Sequence, residues 1–258
     1  MIWWIELQQT PVIAVMTLAL CYAIALGVFI LTRLVARHPV TAEAKFIAPV
    51  LLTPLSLVTG LLIAFLAARV WTNLDRANGY VTEEASATRE AALLAEALPA
   101  DTGDRVREGL QLHLHFVEIQ DWPEMLAGTA SVRQPPPALR DTLAVLLAFD
   151  ATTSGQRVAQ ERAVVAIERA LEARRGRILL SQAVIAPIQW LVIFVLDGLI
   201  LATIGLVHLD RRPAAIAGML LFSTGIACVL TLLMIHDRPL TPGGFVVQPA
   251  VLRQLRGP

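Results

Sequence analysis

Long apolar runs and one long polar stretch alternate along this chain. Four runs consist almost entirely of apolar residues, and each exceeds the length of about 20 residues that a helix needs to cross a bilayer. They are residues 12–32, 46–68, about 183–207 and 214–235. Because the bilayer core offers no water to satisfy free backbone groups, each run is predicted to be an α-helix.

The four runs form two pairs on either side of the polar stretch. Each pair is joined by a short loop, with Pro39 in one and Pro213 in the other, and is predicted to be an antiparallel hairpin. The predicted domains are residues 1–72 with two membrane helices, residues 73–181 outside the bilayer, and residues 182–258 with two more membrane helices and a short C-terminal tail. The predicted fold class is an all-α integral membrane protein with two plus two transmembrane helices and an inserted helical domain.

The polar stretch is also predicted to be helical, because it shows no sustained alternation of apolar and polar residues. The second membrane helix is predicted to continue to Leu98, where a proline follows. A second helix starts after Asp101, a suitable capping residue, and runs to about Gln120. A third ends near Phe149, and the last runs from Gln156 directly into the third membrane helix.

Composition supports a membrane protein. Hydrophobic residues make up 56% of the chain and charged residues only 16%, against about 25% in an average soluble domain. Mean hydropathy is +0.63. The formal net charge is zero and no basic stripe occurs, which argues against nucleic-acid binding. Cys21 and Cys228 lie inside apolar runs and are predicted to behave as small hydrophobic residues.

The polar stretch contains titratable residues but no motif that indicates catalysis. The acidic residues of its first helix are Glu83, Glu84, Glu90 and Glu96. They are predicted to form a solvated helix face, with a divalent-ion sensor between subunits as the alternative. His113 and His115 are two residues apart, so on a helix they point in different directions. Without a P-loop, zincin or nucleophile motif, we predict no enzyme activity, no metal site and no cofactor.

One ionisable residue, Asp197, lies deep inside a predicted membrane helix. A charge at that depth costs about 2.5–3.5 kcal/mol on insertion scales, so Asp197 is expected to face the bundle, a partner subunit or water. Two interpretations stay open: a proton or cation site, and a neutral, hydrogen-bonded carboxyl group that holds helices together. Gln189 lies about 80° around the helix and is the candidate partner.

Several short elements, in this order and spacing, resemble the bacterial bestrophin-like domain family. They are Trp71, residues 81–85, Leu98-Pro99, Asp121-Trp122-Pro123, residues 172–175, Asp237-Arg238-Pro239, Gly243-Gly244 and Pro249. The resemblance is clearest over residues 59–255. The element at Asp237, Arg238 and Pro239 is interpreted as a structural turn, with an anion site as the alternative.

The resemblance implies kinship with bestrophins, which are pentameric anion channels with the same order of helices. It therefore implies a homo-oligomer, a pentamer, in the bacterial inner membrane, with the lipid bilayer and an anion such as chloride as partners. It also implies a cytoplasmic position for residues 73–181, whereas the basic residues at the helix ends favour the two orientations almost equally. Oligomerisation agrees with the small room that four helices leave for a hydrated path.

The second membrane helix is the candidate for lining such a pore. Thr53, Ser56, Gly60 and Ile63 share one helix face, where hydroxyl groups can bind water or an anion. Apolar side chains further along, such as Ile63 or Ala67, can gate an oligomeric pore by dewetting. The alternative is ordinary helix packing, since small and hydroxylated residues are enriched at transmembrane contacts.

Three functions remain in competition. The leading hypothesis is a passive anion channel. The first alternative is a non-conducting membrane scaffold or regulatory protein whose helical domain binds a partner, and the second is a proton-coupled transporter that uses Asp197. Each predicts a different effect of mutation: pore-face changes alter conductance in a channel, whereas Asp197→Asn abolishes transport in a transporter.

Overall fold

The computed structural model of the chain describes residues 10–35, 40–133 and 135–237, and these residues contain helices and no strand. The helices are α1 (Thr10–Val35), α2 (Val40–Ala95), α3 (Ala100–Phe116), a π-helical turn (Val117–Asp121), α4 (Trp122–Ala127), α5 (Pro137–Ala148), α6 (Ser154–Ser181), α7 (Pro187–Val207) and α8 (Arg212–His236). The predicted all-α class is confirmed. Pro39 and the predicted C-terminal tail lie outside the described residues.

In the described part of the chain, four helices are long and apolar enough to cross a membrane, as predicted. They are α1, α2 from Phe46 onward, α7 and α8. Helix α2 also continues well beyond its apolar part, because Val40–Ala95 is one uninterrupted helix with Pro49 and Pro54 inside it. The prediction that the second membrane helix extends into the polar stretch is confirmed.

The described chain divides into two compact units, which share α2. We call them the membrane unit (residues 10–72 and 184–237) and the polar unit (residues 73–183). The core of the membrane unit lies among α1, α7 and α8, with Ile13, Trp190 and Leu230 fully or almost fully buried. From α2, only its last apolar turns join this core, through Leu66 and Val70.

Most of the apolar part of α2 is not covered by other residues that the structure describes. Phe46, Val50 and Phe65 are each more than 70% exposed, and many of the apolar residues between them are exposed as well. Water would make this surface unfavourable, whereas lipid or a neighbouring subunit would accept it. Helix α2 is therefore the membrane-unit helix with the largest uncovered apolar face.

One of the two hydrophobic clusters of the polar unit is rich in alanine. Alanines from α2 and α6 meet there with Leu139 and Leu146 of α5. Small side chains let helices approach closely, and Gly176 of α6 is an example, because a Cβ atom there would clash with the Tyr80 ring of α2. Helices α2 and α6 are thus close neighbours in this unit.

Two predicted helix boundaries in the polar unit are wrong. Helix α3 begins at Ala100, before Asp101, and no side chain caps it. The carbonyl of Pro99, which is itself extended, accepts the first helical hydrogen bond from the Gly103 N–H at 2.8 Å, so the helix starts ahead of the predicted cap. The helix that follows does not end at Gln120 either. A π-helical turn carries the chain on into α4, since its wider turn accommodates Pro123, whose ring would crowd the carbonyl of Ile119 in a regular helix.

The predicted continuous helix from Gln156 into the third membrane helix is also wrong. Helix α6 ends at Ser181, and α7 begins only at Pro187, so the third apolar helix starts four residues later than predicted. Proline disfavours helical geometry in the residue before it, and Ala186 is accordingly extended. The break separates α6 from α7 in the chain.

Candidate functional site

The structure places the predicted pore residues in two different environments. Thr53, Ser56 and Gly60 are exposed, and a Cβ atom added at Gly60 would meet no described atom within 4 Å. Ile63 and Ala67 are half-buried and pack against the core of the membrane unit. The first three residues are therefore accessible to lipid, another subunit or a lumen, whereas the last two are partly engaged by the chain's own helices.

Asp197 is completely buried in the membrane unit. Neither of its carboxyl oxygens has a hydrogen-bond partner among the residues that the structure describes. The carboxyl group lies close enough to the thiol of Cys21 in α1 for the two groups to interact electrostatically, and Cys21 is also fully buried. The structure thus offers no partner for the interpretation of Asp197 as a hydrogen-bonded helix contact.

Gln189 is not the partner of Asp197, contrary to the prediction. Its Oε1 atom accepts a hydrogen bond from the backbone N–H of Ala186 at 3.1 Å, which satisfies a free donor at the start of α7. The same oxygen accepts a longer bond of 3.4 Å from Nη1 of Arg69. Its short side chain serves the beginning of its own helix, two turns away from Asp197.

Asp237 connects the end of α8 to the segment before α7 by hydrogen bonds. Its two carboxylate oxygens accept from the backbone N–H of Ile185 at 3.0 and 3.1 Å, and the side chain is buried. This geometry supports the interpretation as a structural turn. Arg238, Pro239 and the later elements at Gly243, Gly244 and Pro249 lie outside the described residues.

A buried group of charged side chains lies at the centre of the polar unit. We call it the arginine cluster, and its members are Glu84 of α2, His113 of α3, Asp121 of the π-helical turn, and Arg174 and Arg177 of α6. Each side chain is at most 7% exposed. Groups of this kind seldom occur inside proteins unless they are paired.

Two bidentate ion pairs form the framework of the arginine cluster. Arg177 donates to Glu84 through Nε at 2.8 Å and Nη2 at 3.1 Å. Arg174 donates to Asp121 through Nε at 2.6 Å and Nη2 at 2.7 Å. Such parallel bonds match the planar guanidinium group to the carboxylate and are stronger than single bonds between neutral groups.

Further contacts connect the two pairs. Nη2 of Arg177 reaches Asp121 at 3.4 Å, and Nε2 of His113 lies 3.1 Å from Oε1 of Glu84. The guanidinium group of Arg177 also lies 5.3 Å from the ring centre of Trp122. Glu84 and Asp121 thereby share one arginine, which makes the cluster a single network rather than two separate pairs.

The local helix geometry places these groups. Arg174 and Arg177 are three residues apart, so they project from the same face of α6. The π-helical turn at Val117–Asp121 shifts the register of the helix, and Asp121 at its end is turned into the core beside Trp122. Gly176 permits the close approach of α6 to α2 that lets Arg177 reach Glu84.

The network keeps Glu84 ionised. Glu84 lies 16 residues, about 24 Å along the helix, beyond the apolar run that ends at residue 68, and therefore outside the bilayer core. Burial by itself raises the pKa of this carboxyl group, but the charge of Arg177 and the hydrogen bond from His113 outweigh it and lower the pKa to about 2. Two arginines then balance two carboxylates within the cluster.

The prediction of a solvated acidic face is wrong for Glu84. Glu83 and Glu90 do lie at the surface, where both pair with Arg169 at 2.7 Å, but Glu84 shares its helix face with the buried residues Ala77, Val81 and Thr88. Their spacing of i, i+4, i+7 and i+11 was visible in the sequence. It places Glu84 inside the buried face rather than beside it.

The arrangement of the arginine cluster is that of a structural core. His113 and His115 do not share a ligand position, and among residues 10–35, 40–133 and 135–237 no group of three or more His, Cys, Asp and Glu side chains is arranged to hold a metal ion. Three of the elements that resemble a family meet in this cluster: residues 81–85 contribute Glu84, the element at Asp121-Trp122-Pro123 contributes Asp121, and residues 172–175 contribute Arg174.

The family model of the Bestrophin-like domain matches residues 19–252 of the chain. The chain therefore belongs to the bestrophin-like domain family, as its sequence elements predicted, and its four long apolar helices mark it as a membrane protein. No curated protein and no solved structure matches it significantly.

Proposed function

We propose that this protein is the subunit of an oligomeric membrane channel that conducts anions passively, with α2 lining the pore. The single observation that carries the proposal is the uncovered face of α2. Its exposed apolar surface requires lipid or other subunits, and the same helix exposes the polar or small residues Thr53, Ser56 and Gly60. Membership of the bestrophin-like family supports a channel rather than an enzyme.

The proposed assembly has two pairs of membrane helices in each subunit and the polar unit between them in sequence. In a homo-oligomer, a pentamer by kinship with bestrophins, the copies of α2 would surround a common axis. Hydroxyl groups of Thr53 and Ser56 would replace part of the hydration shell of an anion such as chloride, and Ile63 would form the narrowest apolar ring. We place the assembly in the bacterial inner membrane with the polar unit in the cytoplasm.

A change at Ile63 tests the proposal. In liposomes that contain the purified protein and a halide-quenched dye, we expect halide flux above that of empty vesicles. Ile63→Ala widens an apolar constriction and lowers its dewetting barrier, so flux is expected to rise several-fold. Val58→Ala is the matched control, because Val58 is an exposed apolar residue on the opposite face of the same helix.

Two results would contradict the channel. One is the absence of flux from protein that is shown to be folded and oligomeric, which points to the non-conducting scaffold or regulatory protein and to a search for a partner of the polar unit. The other is an equal effect of Ile63→Ala and Val58→Ala, which removes the pore from this face of α2.

A second candidate function, a proton-coupled transporter, is favoured by one specific observation. Asp197 is fully buried among apolar helices, and neither of its oxygens has a described hydrogen-bond partner. Ionisable residues in such positions frequently belong to proton relays.

The Asp197→Asn variant distinguishes the transporter from the channel. Asparagine keeps the shape of the side chain but cannot bind and release a proton. A transporter would lose all transport driven by a proton gradient while the oligomer stays intact, whereas a channel would keep its halide flux. The measurement is flux in liposomes with and without a pH gradient, with the oligomer checked by size-exclusion chromatography.

A further inference from the structure

Arg33, at the end of α1, is a cation with an unsatisfied donor. Its Nη1 atom donates to the backbone carbonyl of Leu209, before the start of α8, at 2.5 Å. Its guanidinium carbon lies 5.1 Å from the ring centre of Phe29. The Nη2 atom is buried and has no hydrogen-bond partner among the described residues. A donor of this kind is expensive to leave unpaired, and an anionic oxygen would satisfy it.

An apolar groove begins one helical turn from Arg33. It has a volume of about 210 Å³ and lies between α1 and α8. Its lining includes Tyr22, Ala25 and Phe29 from α1 and Ile216, Met219 and Leu220 from α8. The Tyr22 hydroxyl at the far end is already bonded to Thr224 at 2.9 Å, so the groove offers almost only apolar surface to an occupant.

The groove lies along α1, in line with Arg33 at the end of that helix. Phe29 is four residues before Arg33 and Tyr22 is eleven, so the groove extends from about 6 to about 16 Å from Arg33 along α1 toward the middle of the helix. At the same end, the exposed residue Arg211 directly precedes α8 and the exposed residue Arg212 begins it, and the N-terminus adds the positive end of a 25-residue helix. The apolar groove thus leads along α1 toward Arg33, and Arg211 and Arg212 follow Asp210 in the sequence at the same end of the helices.

We propose that this groove binds one anionic phospholipid, with its phosphate at Arg33 and one acyl chain along the groove. The occupant must be apolar over the length of the groove and negatively charged at its end, and it must reach the site from the bilayer that α1 and α8 cross. An anionic phospholipid meets all three requirements. A soluble phosphate lacks the chain, and a zwitterionic lipid offsets its phosphate with a cation of its own.

Lipid retention by the intact protein tests the site. The full-length protein is extracted in mild detergent and supplied with phosphatidylglycerol, phosphatidylcholine of the same chain length, or glycerol phosphate. Bound molecules are then counted by native mass spectrometry. We expect one phosphatidylglycerol per subunit to be retained, with phosphatidylcholine bound about five-fold more weakly or less and glycerol phosphate not retained. Equal retention of the two lipids would overturn the proposal, and retention of glycerol phosphate would show a site for free phosphate instead.

Two pairs of variants test the contribution of Arg33 and that of the groove to lipid binding separately. Arg33→Gln is expected to reduce phosphatidylglycerol binding about five-fold, whereas Arg69→Gln, which removes an exposed charge beside another membrane helix, leaves it unchanged. Leu220→Trp fills the groove and is expected to prevent binding, whereas Leu221→Trp, at a 77% exposed position outside the groove, does not.

The variant pairs and the comparison of lipids each support or overturn the proposed lipid site. Wild-type retention in Leu220→Trp, or equal losses in the members of either pair, would overturn the site. If Arg33→Gln does not yield folded protein, the Leu220 and Leu221 pair and the comparison of lipids still decide. None of these readouts depends on ion flux, so the lipid site and the proposed channel can fail independently.

Discussion

The Arg177→Met variant is expected to lose about 3–5 kcal/mol of stability, the largest effect of any single change considered for this protein. Arg177 is fully buried and serves both Glu84 and Asp121. Methionine fills much of the same space but leaves Glu84 without its main counter-charge in a site that excludes water. Breaking a buried pair in this way costs far more than the pair contributes over an apolar replacement.

The measurement is thermal or denaturant unfolding of the full-length protein in detergent, followed by far-UV circular dichroism. Arg169→Met is the matched control. Arg169 also connects α6 to α2, through Glu83 and Glu90, but it is 44% exposed, so its loss is expected to cost much less than the loss of Arg177.

A double variant tests the reason for the effect. Arg177→Met combined with Glu84→Met removes both charges of the pair, so it is expected to regain a large part of the stability that Arg177→Met alone loses. If Arg169→Met were as damaging as Arg177→Met, or if the double variant were less stable than both single variants, the cluster would not stabilise the polar unit through charge pairing.

The second large effect is expected from Gly176→Ala, with a loss of about 1–3 kcal/mol. The new methyl group would clash with the Tyr80 ring, so the ring or α6 itself must shift. A shift of α6 also displaces Arg177, the next residue. The same unfolding measurement applies.

Gly79→Ala provides the matched comparison for Gly176→Ala. Gly79 lies in α2, and a Cβ atom there meets no described atom within 4 Å. Alanine is therefore expected to stabilise the helix by about 0.5–1 kcal/mol through its higher helix propensity. The opposite signs of the two changes are the prediction, and a shift of both variants in the same direction would contradict it.

The membrane helices were predictable because the bilayer imposes a simple length and polarity on each of them. The extension of α2 beyond the membrane was predictable from the sequence itself, because no glycine-rich or proline-containing break occurs between residues 55 and 98. The errors occur where a local signal competes with its surroundings. Pro123 indicates a helix end, but the π-helical turn accommodates it, and Asp101 is a suitable cap although the helix already begins at Ala100.

The candidate sites were less predictable than the helices. Periodicity shows that Thr53, Ser56, Gly60 and Ile63 share a face, but it does not show that Ile63 is half-covered by the chain's own core, because that depends on contacts distant in sequence. The ion pairs of the arginine cluster could not be predicted for the same reason. Its arginines and carboxylates are 53 to 93 residues apart, and no local pattern assigns Arg174 to Asp121 or Arg177 to Glu84.

The wide separation of those partners also sets a time order for folding. Glu84 and Arg177 are 93 residues apart, and a ribosome adds roughly 5–20 residues per second. Glu84 therefore leaves the ribosome about 5 to 20 seconds before the arginine that neutralises it. Until Arg177 has been synthesised, burial of the ionised Glu84 would lack its main counter-charge, so the buried arginine cluster requires α6.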